Sequence, residues 1–306
     1  MSRAVKGNGT LILCYHRVAE GVEDPFHLCV HPENFAAQLE ELVRTREPST
    51  LSDLSMPSRR PRVVVTFDDG YRDNLDNALP IATAKGVPLT VFVTSGMLGD
   101  QKGFWWDRLA ALLRGRPPGT DEISLVIDQD VVRIPLGGRG DEKDLDTVRG
   151  RLMSLPVRDI EGALDAVSAQ WSVPSTAPPD ARALTAEEFL ELAKSELVTI
   201  GAHTVDHVRL RGRSSDEQRQ TIETSRKGLE RFLDRSVTHF AYPFGGSDDF
   251  DDDTVEAVRA AGFETACTTL PGSAALSADP FRLPRRLVMD WGRLRFRAQL
   301  QRWRFG

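Results

Sequence analysis

Cysteine is scarce in this 306-residue sequence, and long apolar runs are missing. The three cysteines, Cys14, Cys29 and Cys267, are too few and too scattered for a disulfide framework or a zinc knuckle. No apolar run approaches the roughly 18 residues that are needed to cross a bilayer. The apolar stretch that follows the basic N-terminus covers only residues 11–15, which is too short for the hydrophobic region of a signal peptide. These absences predict a cytoplasmic protein without a membrane span.

An excess of basic charge is also missing. The 39 lysines and arginines are outnumbered by 45 aspartates and glutamates, which gives a net charge of −6. A dedicated nucleic-acid-binding protein would show a basic face, so we expect no nucleic acid as a partner. Hydrophobic residues make up 40% of the chain and charged residues 27%, which is a globular composition and not a disordered one.

Short apolar runs alternate with amphipathic stretches along most of the chain. Buried parallel strands have this continuous apolar character, and their alternation with helices is typical of βαβ units. At least six such units predict an α/β fold, either a barrel or a large doubly wound sheet. The predicted strands are residues 11–15, 63–67, 89–94, 198–202, 238–242 and 263–268.

Two segments depart from this alternation. The stretch 104–184 contains several glycine- and proline-rich turns, so we expect an inserted subdomain that interrupts a barrel spanning 10–290. An insertion there could form a lid or a wall over the site. The last segment, 291–306, interleaves arginines with aromatic residues and has no acidic residue. It predicts a terminal helix packed on the barrel, with contact to a membrane surface or an anionic substrate as the alternative.

Two adjacent carboxylates, Asp68 and Asp69, follow directly after the predicted strand 63–67. Barrel enzymes place their catalytic groups at the carboxyl ends of such strands. Neighbouring acids can take different roles when their surroundings separate their pKa values, so that one binds a cation and the other accepts a proton. A plain turn that leads into a helix is the other interpretation of Asp-Asp-Gly.

A pair of histidines, His203 and His207, follows the predicted strand 198–202. Histidines four residues apart can face one metal ion from a helical turn. Together with Asp69 they would form a set of two histidines and one carboxylate with open coordination positions. That set suits a catalytic zinc or a similar divalent ion.

Two further polar clusters close predicted strands. The segment 240–246 contains a proline and two glycines, which either direct an N–H group at developing charge or form a plain turn. His16 ends the first predicted strand, 11–15. Parallel neighbouring strands would bring all four clusters to one site, and this joint pattern predicts an enzyme.

In order along the chain, Thr-Phe-Asp-Asp-Gly at 66–70, His-Thr-Val-Asp-His at 203–207 and Tyr-Pro-Phe-Gly at 242–245 resemble the signatures of a known family. This is the polysaccharide deacetylase family, also called the NodB homology family or carbohydrate esterase family 4. The resemblance covers about 10–100 and 185–290. It implies a distorted (β/α)7 barrel and the metal-dependent removal of an N-acetyl group from an amino sugar.

The resemblance also implies roles for individual residues. Asp68 would be the general base, and the backbone N–H of Phe244 would help to bind the oxyanion. Asp69, His203 and His207 would bind one divalent ion, expected to be zinc, with cobalt, nickel or manganese as alternatives.

Two positions depart from the family's pattern. Many members have an arginine in the third signature that orients the base, but Ala241 stands there in this chain. Arg285, in a segment that resembles a later signature, is expected to supply that charge. Many members also carry a late histidine as the general acid, and none follows His239 here. The Tyr-His pair that ends at His16 resembles the branch acting on poly-N-acetylglucosamine, which makes His16 the candidate acid.

The substrate and two other functions stay open at this point. The acetylated sugar could be a glycan, a lipid-linked or nucleotide-linked sugar, or a small glycoside, and the predicted cytoplasmic location favours the non-polymeric ones. An amidohydrolase of the same fold that cleaves a formamide, ureide or cyclic imide is the first alternative. A catalytically inactive glycan-binding domain is the second, and the retention of every ionisable group argues against it.

Overall fold

Parallel strands form the centre of the protein. The computed structural model describes residues 9–21, 24–56, 58–127, 130–137 and 142–303. Its strands are β1 (Leu11–Tyr15), β2 (Arg17–Val18), β3 (Cys29–Val30), β4 (Glu47–Pro48), β5 (Arg62–Phe67), β6 (Leu89–Val93), β7 (Glu122–Ile127), β8 (Asp130–Pro135), β9 (Val198–Ala202), β10 (His239–Ala241), β11 (Thr265–Cys267) and β12 (Arg286–Leu287).

The main sheet follows the order β11, β10, β9, β6, β5, β1 and β12, and β4 pairs with β5 at its side. Its neighbouring strands are parallel throughout. Leu283, just before β12, forms a parallel bridge with Cys267 of β11, so the two ends of the curled sheet approach each other. This is the architecture of a distorted (β/α)7 barrel, and the predicted fold class is confirmed.

Burial explains why the apolar runs became parallel strands. Every residue of β1, β5 and β6 is buried, as expected for strands that are covered on both faces. The α-helices of the described residues are α1 (Pro32–Thr45), α2 (Leu79–Lys85), α3 (Trp105–Gly115), α4 (Glu142–Leu152), α5 (Val157–Trp171), α6 (Ala186–Ala193), α7 (Ser215–Leu233), α8 (Asp252–Ala260) and α9 (Arg293–Arg302).

The register of the sheet brings the ends of several strands to one level. Tyr15 at the end of β1 pairs with Phe67 at the end of β5. Ala202 at the end of β9 pairs with Val93 of β6 and with Phe240 of β10. Residues that follow these strands therefore share the carboxyl edge of the barrel, where the predicted clusters lie.

The stretch 104–184 has a hydrophobic core of its own. Helices α3, α4 and α5 and the antiparallel hairpin of β7 and β8 surround buried residues such as Leu125, Val148 and Leu164. Tyr71 and Met97 belong to the same core, so this core also reaches the barrel. The division of the chain at 104 and 184 stays a prediction.

The C-terminal segment forms the predicted helix. Phe296 and Leu300 of α9 are buried against the barrel, and α9 contacts α1. Residues 304–306, which include an arginine and a phenylalanine of the predicted basic-aromatic segment, lie outside the described residues.

Part of the basic charge of α9 is neutralised within the chain. Arg293 forms an ion pair with Glu40 of α1, and Arg297 lies 3.7 Å from the neighbouring Glu41. The membrane contact of this segment stays a prediction. Within the described residues, none of the helices combines the length and the apolar character needed to cross a bilayer.

Candidate active site

Asp68 and Asp69 lie on a tight turn that ends β5. The φ angles of Asp69 and Gly70 are 73° and 88°, so two consecutive residues are left-handed. Glycine adopts this region readily and aspartate tolerates it better than most residues. Backbone hydrogen bonds hold the turn on both sides, from Asp68 N–H to Tyr15 O at 3.0 Å and from Thr94 N–H to Asp69 O at 3.1 Å. The fold thereby fixes both buried carboxylates at the carboxyl edge.

His203 and His207 flank a tight turn after β9. A spacing of four residues suits a helical turn, but residues 204–206 form a turn that is not helical. Thr204 and His207 have φ angles of 64° and 55°. A left-handed backbone, and not helical periodicity, brings the two imidazoles together, with ring centroids 4.8 Å apart. Such backbone strain clusters at functional sites.

The structure brings the three predicted metal ligands together. Asp69 Oδ1 lies 3.6 Å from His203 Nε2 and 3.4 Å from His207 Nε2. A 2.8 Å hydrogen bond between His203 Nδ1 and Ala241 O fixes the His203 ring, so its Nε2 is the nitrogen on the Asp69 side. All three residues offer ligand atoms that lie within 4.8 Å of one another.

This donor set fits a divalent ion. Ligand atoms at about 2.0–2.2 Å from one tetrahedral zinc ion lie about 3.3–3.6 Å apart, which agrees with both Asp69–histidine separations. Asp69 Oδ1 is buried without a hydrogen-bond partner among the described residues, and so is His207 Nδ1. Burial, and then the charge of Asp68, raises the pKa of Asp69 well above its ordinary value. Burial lowers the pKa of both histidines. A bound cation would stabilise the ionised carboxylate and the neutral imidazoles that metal binding requires.

Arg285 forms a bidentate ion pair with Asp68. Its two terminal nitrogens donate to Asp68 Oδ1 at 2.7 Å and Oδ2 at 2.6 Å. The guanidinium, which is 0% exposed, also donates to Thr268 O at 2.9 Å and to Thr66 Oγ1 at 3.1 Å. Burial alone would raise the pKa of Asp68, but Arg285, together with His203 and His16, holds that pKa below its ordinary value. The structure thus places a cation on Asp68 although Ala241 stands at the expected arginine position.

His16 follows β1 and lies beside Asp68 and Cys14, with ligand atoms of the three within 4.8 Å. Its Nδ1 is buried without a partner among the described residues. Burial lowers the pKa of His16 to about 4, against the opposing effect of Asp68. The imidazole is therefore neutral at pH 7. The Cys14 thiol donates to Asp68 Oδ2 at 3.4 Å, a contact that no sequence motif indicated.

Phe244 lies on the turn after β10. Its φ angle is 60°, and Gly245 N–H closes the bend with a 2.7 Å hydrogen bond to Pro243 O. The Phe244 ring meets the His207 ring edge to face, at 4.7 Å between centroids. The proline and glycine of this segment thus place Phe244 next to a predicted metal ligand.

Trp106, which the sequence did not single out as a site residue, also contacts His207. The two rings lie 4.6 Å apart. Trp106 Nε1 donates to Tyr71 Oη at 2.8 Å, and Tyr71 Oη donates to Asp107 Oδ2 at 2.7 Å. Burial raises the pKa of Asp107 to about 7. Two adjacent tryptophans at the start of α3 were the available sequence signal, and such a pair also suits core packing.

The proposed metal ligands, Asp68, His16, Phe244 and Trp106 line one cavity of about 230 Å³, which we call the reaction cavity. Residues of the stretch 104–184 form part of its wall. From that stretch come Trp105, Trp106, Glu142, Asp146 and Arg149. From the barrel edge and its loops come His16, Pro25, Phe26, His27, Leu28, Asp68, Asp69, His203, His207, Phe244 and Thr269.

A parallel barrel with this group of imidazoles and carboxylates at its carboxyl edge is the arrangement of a barrel enzyme. The family model described as polysaccharide deacetylase matches residues 55–132 and 164–266, which is more than half of the chain. The chain belongs to this family, whose members hydrolyse N-acetyl amide bonds of sugars.

Known proteins agree with this assignment. YxkH of Bacillus subtilis (strain 168), assigned as a polysaccharide deacetylase, is 21% identical over 90% of this chain and 69% of its own length. The structure of IcaB from Ammonifex degensii has a TM-score of 0.64 and 18% identity, covering 98% of each chain. The Streptococcus pyogenes deacetylase PplD, solved in complex with acetate, has a TM-score of 0.61 and 18% identity, covering 96% of this chain and 97% of its own. At these identities the two structures establish the fold.

Proposed function

We propose that the protein removes the N-acetyl group from an amino sugar with the help of one divalent ion. The observation that carries this proposal is the single reaction cavity, which joins the Asp69, His203 and His207 set to the arginine-paired Asp68. An amide is a poor electrophile with a poor leaving group. Its hydrolysis needs a polarised carbonyl, an activated water and a proton for the departing nitrogen.

Asp69, His203 and His207 would hold the ion. When bound, a divalent ion polarises a carbonyl oxygen and lowers the pKa of water toward neutrality. Three protein ligands leave further coordination positions open, as in catalytic zinc sites and unlike structural ones. Zinc fits a set of two imidazoles and one carboxylate. Metal analysis of the purified protein would distinguish zinc from cobalt, nickel and manganese.

Asp68 is assigned as the general base. Arg285 fixes both of its oxygens and keeps the carboxylate ionised at neutral pH. The same ion pair makes Asp68 a weak base. It can accept the proton of the attacking water, but it must pass that proton on quickly.

His16 is assigned as the group that carries the proton to the leaving nitrogen. A neutral imidazole cannot start as an acid, so His16 must first gain a proton. We assign the supply of that proton to Asp68, which has a carboxylate oxygen within 4.8 Å of a His16 ring nitrogen. The proton of the water would move to Asp68, then to His16 and then to the amine, while the carbon–oxygen bond forms and the carbon–nitrogen bond breaks. Acetate and the free amine are the products.

The Phe244 backbone N–H is assigned to the oxyanion that develops on the acetyl carbonyl. The left-handed bend at Phe244 and the contact of its ring with the His207 ring support this role, because together they hold this residue beside a proposed metal ligand. One hydrogen-bond donor of this kind typically raises kcat by a factor of about 10²–10³.

Acetate release tests the proposed function. The protein would be freed of metal, reloaded with one equivalent of zinc, and incubated with N-acetylglucosamine, its oligomers, a nucleotide-linked N-acetyl sugar and matched N-formyl compounds. We expect acetate from at least one acetylated sugar, and none from the Asp69→Ala variant. Formate release without acetate would favour the alternative amidohydrolase, and activity that survives exhaustive chelation would contradict the metal mechanism.

A further inference from the structure

His207 lacks the hydrogen bond that usually orients a histidine ligand. A metal-binding histidine almost always donates its second ring N–H to a carboxylate, a carbonyl or water, and that bond fixes the ring. The 2.8 Å contact between His203 Nδ1 and Ala241 O is of this kind. In contrast, His207 Nδ1 is buried and has no hydrogen-bond partner among the described residues. Within that part of the chain, packing must therefore hold the His207 ring.

Two aromatic rings contact His207. The centre of the Trp106 ring lies 4.6 Å from that of the imidazole, with an angle of 58° between the ring planes. The Phe244 ring lies at 4.7 Å and 79°. Both arrangements are within the range of favourable contacts between aromatic rings. The orientation of His207 therefore depends on how firmly these two rings are held.

Trp106 is itself fixed by two consecutive hydrogen bonds. Its Nε1 donates to Tyr71 Oη at 2.8 Å, and Tyr71 Oη donates to Asp107 Oδ2 at 2.7 Å. The Tyr71 side chain is 0% exposed, so its hydroxyl serves as acceptor and donor without competition from solvent. The Arg17 guanidinium lies over the Tyr71 ring, 4.9 Å from its centre, and forms a 2.9 Å ion pair with Asp73. Tyr71 is thus held at its face and at its hydroxyl.

These hydrogen bonds connect two parts of the proposed metal site. Tyr71 stands two residues after Asp69, whereas Trp106 and Asp107 lie in the first turn of α3. The Tyr71 hydroxyl therefore joins the segment of one proposed ligand to a ring that packs on another, His207. A phenylalanine at position 71 would fill nearly the same space, but it would leave the Trp106 N–H without its acceptor.

We propose that Tyr71 and Asp107 are positioning residues for the metal ligand His207. They act through the indole ring of Trp106, since neither of them is among the residues that line the reaction cavity. The inference rests on the proposed function, because it takes His207 as a metal ligand. Its physical basis is that a ligand oriented in advance loses less freedom on binding, which makes the bound state more favourable.

Zinc affinity tests this inference without any turnover. The metal-free protein would be titrated with zinc against a chelator of known affinity, and the Kd would be compared among variants. We expect the Kd to rise about 10- to 100-fold in Tyr71→Phe and in Asp107→Ala, which is the usual effect of removing a group that orients a metal ligand. Asp107→Asn keeps an oxygen acceptor for the Tyr71 hydroxyl and should recover most of the affinity.

Tyr15→Phe is the matched control. Tyr15 and Tyr71 are both 0% exposed, and the Tyr15 hydroxyl donates to Gln38 Oε1 at 3.0 Å. The Tyr15 ring packs against Phe67. Loss of the Tyr15 hydroxyl should lower the stability of the metal-free protein in urea much as Tyr71→Phe does, and should leave the zinc Kd unchanged. A rise in Kd that is confined to the Tyr71 and Asp107 variants then reports the orientation of the ring and excludes a general weakening of the fold.

The results separate this inference from the proposed function. Zinc binding that is as tight in Tyr71→Phe and Asp107→Ala as in the unchanged protein would overturn the positioning role and leave the metal site standing. Equal weakening in Tyr15→Phe and Tyr71→Phe would also overturn it. Absence of zinc binding in the unchanged protein would contradict the proposed function and this inference together. If Tyr71→Phe fails to fold, the two Asp107 variants decide the question, because Asp107 is only partly buried.

Discussion

Arg285 and Asp68 lie 217 residues apart in the chain and meet as a buried, bidentate ion pair. A charge at this depth is stable only with its partner, because the desolvation of either ion alone costs several kcal/mol. The pair therefore serves two purposes: it couples the last segment of the barrel to β5, and it orients the proposed base.

Substituting Arg285 should separate these two purposes. Arg285→Ala leaves the Asp68 carboxylate buried and unpaired, and should lower the free energy of unfolding by about 3–5 kcal/mol. Arg285→Lys keeps a charge but loses the two-pronged geometry, so kcat should fall more than tenfold with less loss of stability. Urea unfolding and acetate release measure the two effects. Equal kcat in Arg285→Lys and the unchanged protein would show that orientation of Asp68 is not needed.

Metal content should distinguish the two adjacent acids. Asp69→Asn removes a proposed ligand and should lower the zinc bound per chain, as should His203→Gln. Asp68→Asn should keep the metal and lose most turnover, because asparagine cannot accept a proton. Metal analysis after gel filtration, alongside acetate release, gives both quantities. Loss of metal to the same extent in Asp68→Asn and Asp69→Asn would mean that the roles of the pair are wrongly assigned.

His16→Ala should leave the bound metal unchanged and reduce kcat on the amide by about 10²-fold or more. The loss should be much smaller on an activated acetate ester, because its leaving group departs without prior protonation. The ratio of the two rates is the measurement, since a general loss of structure would slow both. Equal slowing of amide and ester would assign His16 to substrate positioning or to the fold.

His239 should make the stability of the fold sensitive to acid. Burial lowers its pKa to about 4, and its ring contacts Thr265 Oγ1 at 2.8 Å and Ser52 Oγ at 3.2 Å. The unfolded chain binds a proton at this residue below about pH 6.5, whereas the folded chain does so only near pH 4. The free energy of unfolding should therefore fall as the pH drops from 6.5 to 4, by about 2–3 kcal/mol from His239.

The comparison of His239→Gln with the unchanged protein isolates that contribution. Urea unfolding of both, at pH 7 and pH 4.5 and with a chelator throughout, removes the effect of metal release. The unchanged protein should lose more stability than His239→Gln over this interval. Parallel losses would show that His239 is protonated equally in the folded and unfolded chains.

The sequence predicted the fold class because parallel strands buried on both faces leave a strong apolar signal. The same reasoning placed Asp69, His203 and His207 together, since polar residues after such strands must meet at one edge. Very short strands such as β4 and β12 carry too few residues for any periodic pattern. Arg285 was found only through the family resemblance, because nothing local to its segment indicates a partner so far along the chain.

Other site residues could not be predicted from the sequence, for a different reason. Trp106 and Arg149 line the reaction cavity from the stretch 104–184, so their placement depends on how that stretch packs against the barrel. Cys14 contacts Asp68 from an entirely apolar strand, where a thiol is indistinguishable from a small core side chain. Tertiary packing determines all three contacts, and the order of residues along the chain does not reveal that packing.

The left-handed backbone at Thr204 implies local frustration at the carboxyl edge. A β-branched residue is a poor choice for a φ of 64°, and its Oγ1 is also buried without a partner among the described residues. Thr204→Gly would relieve both penalties and should make the fold more stable, yet it would loosen the turn that aligns His203 with His207. Stability of the fold and alignment of the two imidazoles therefore oppose each other at this turn. Selection for stability alone would favour the replacement of Thr204, at the expense of the proposed metal site.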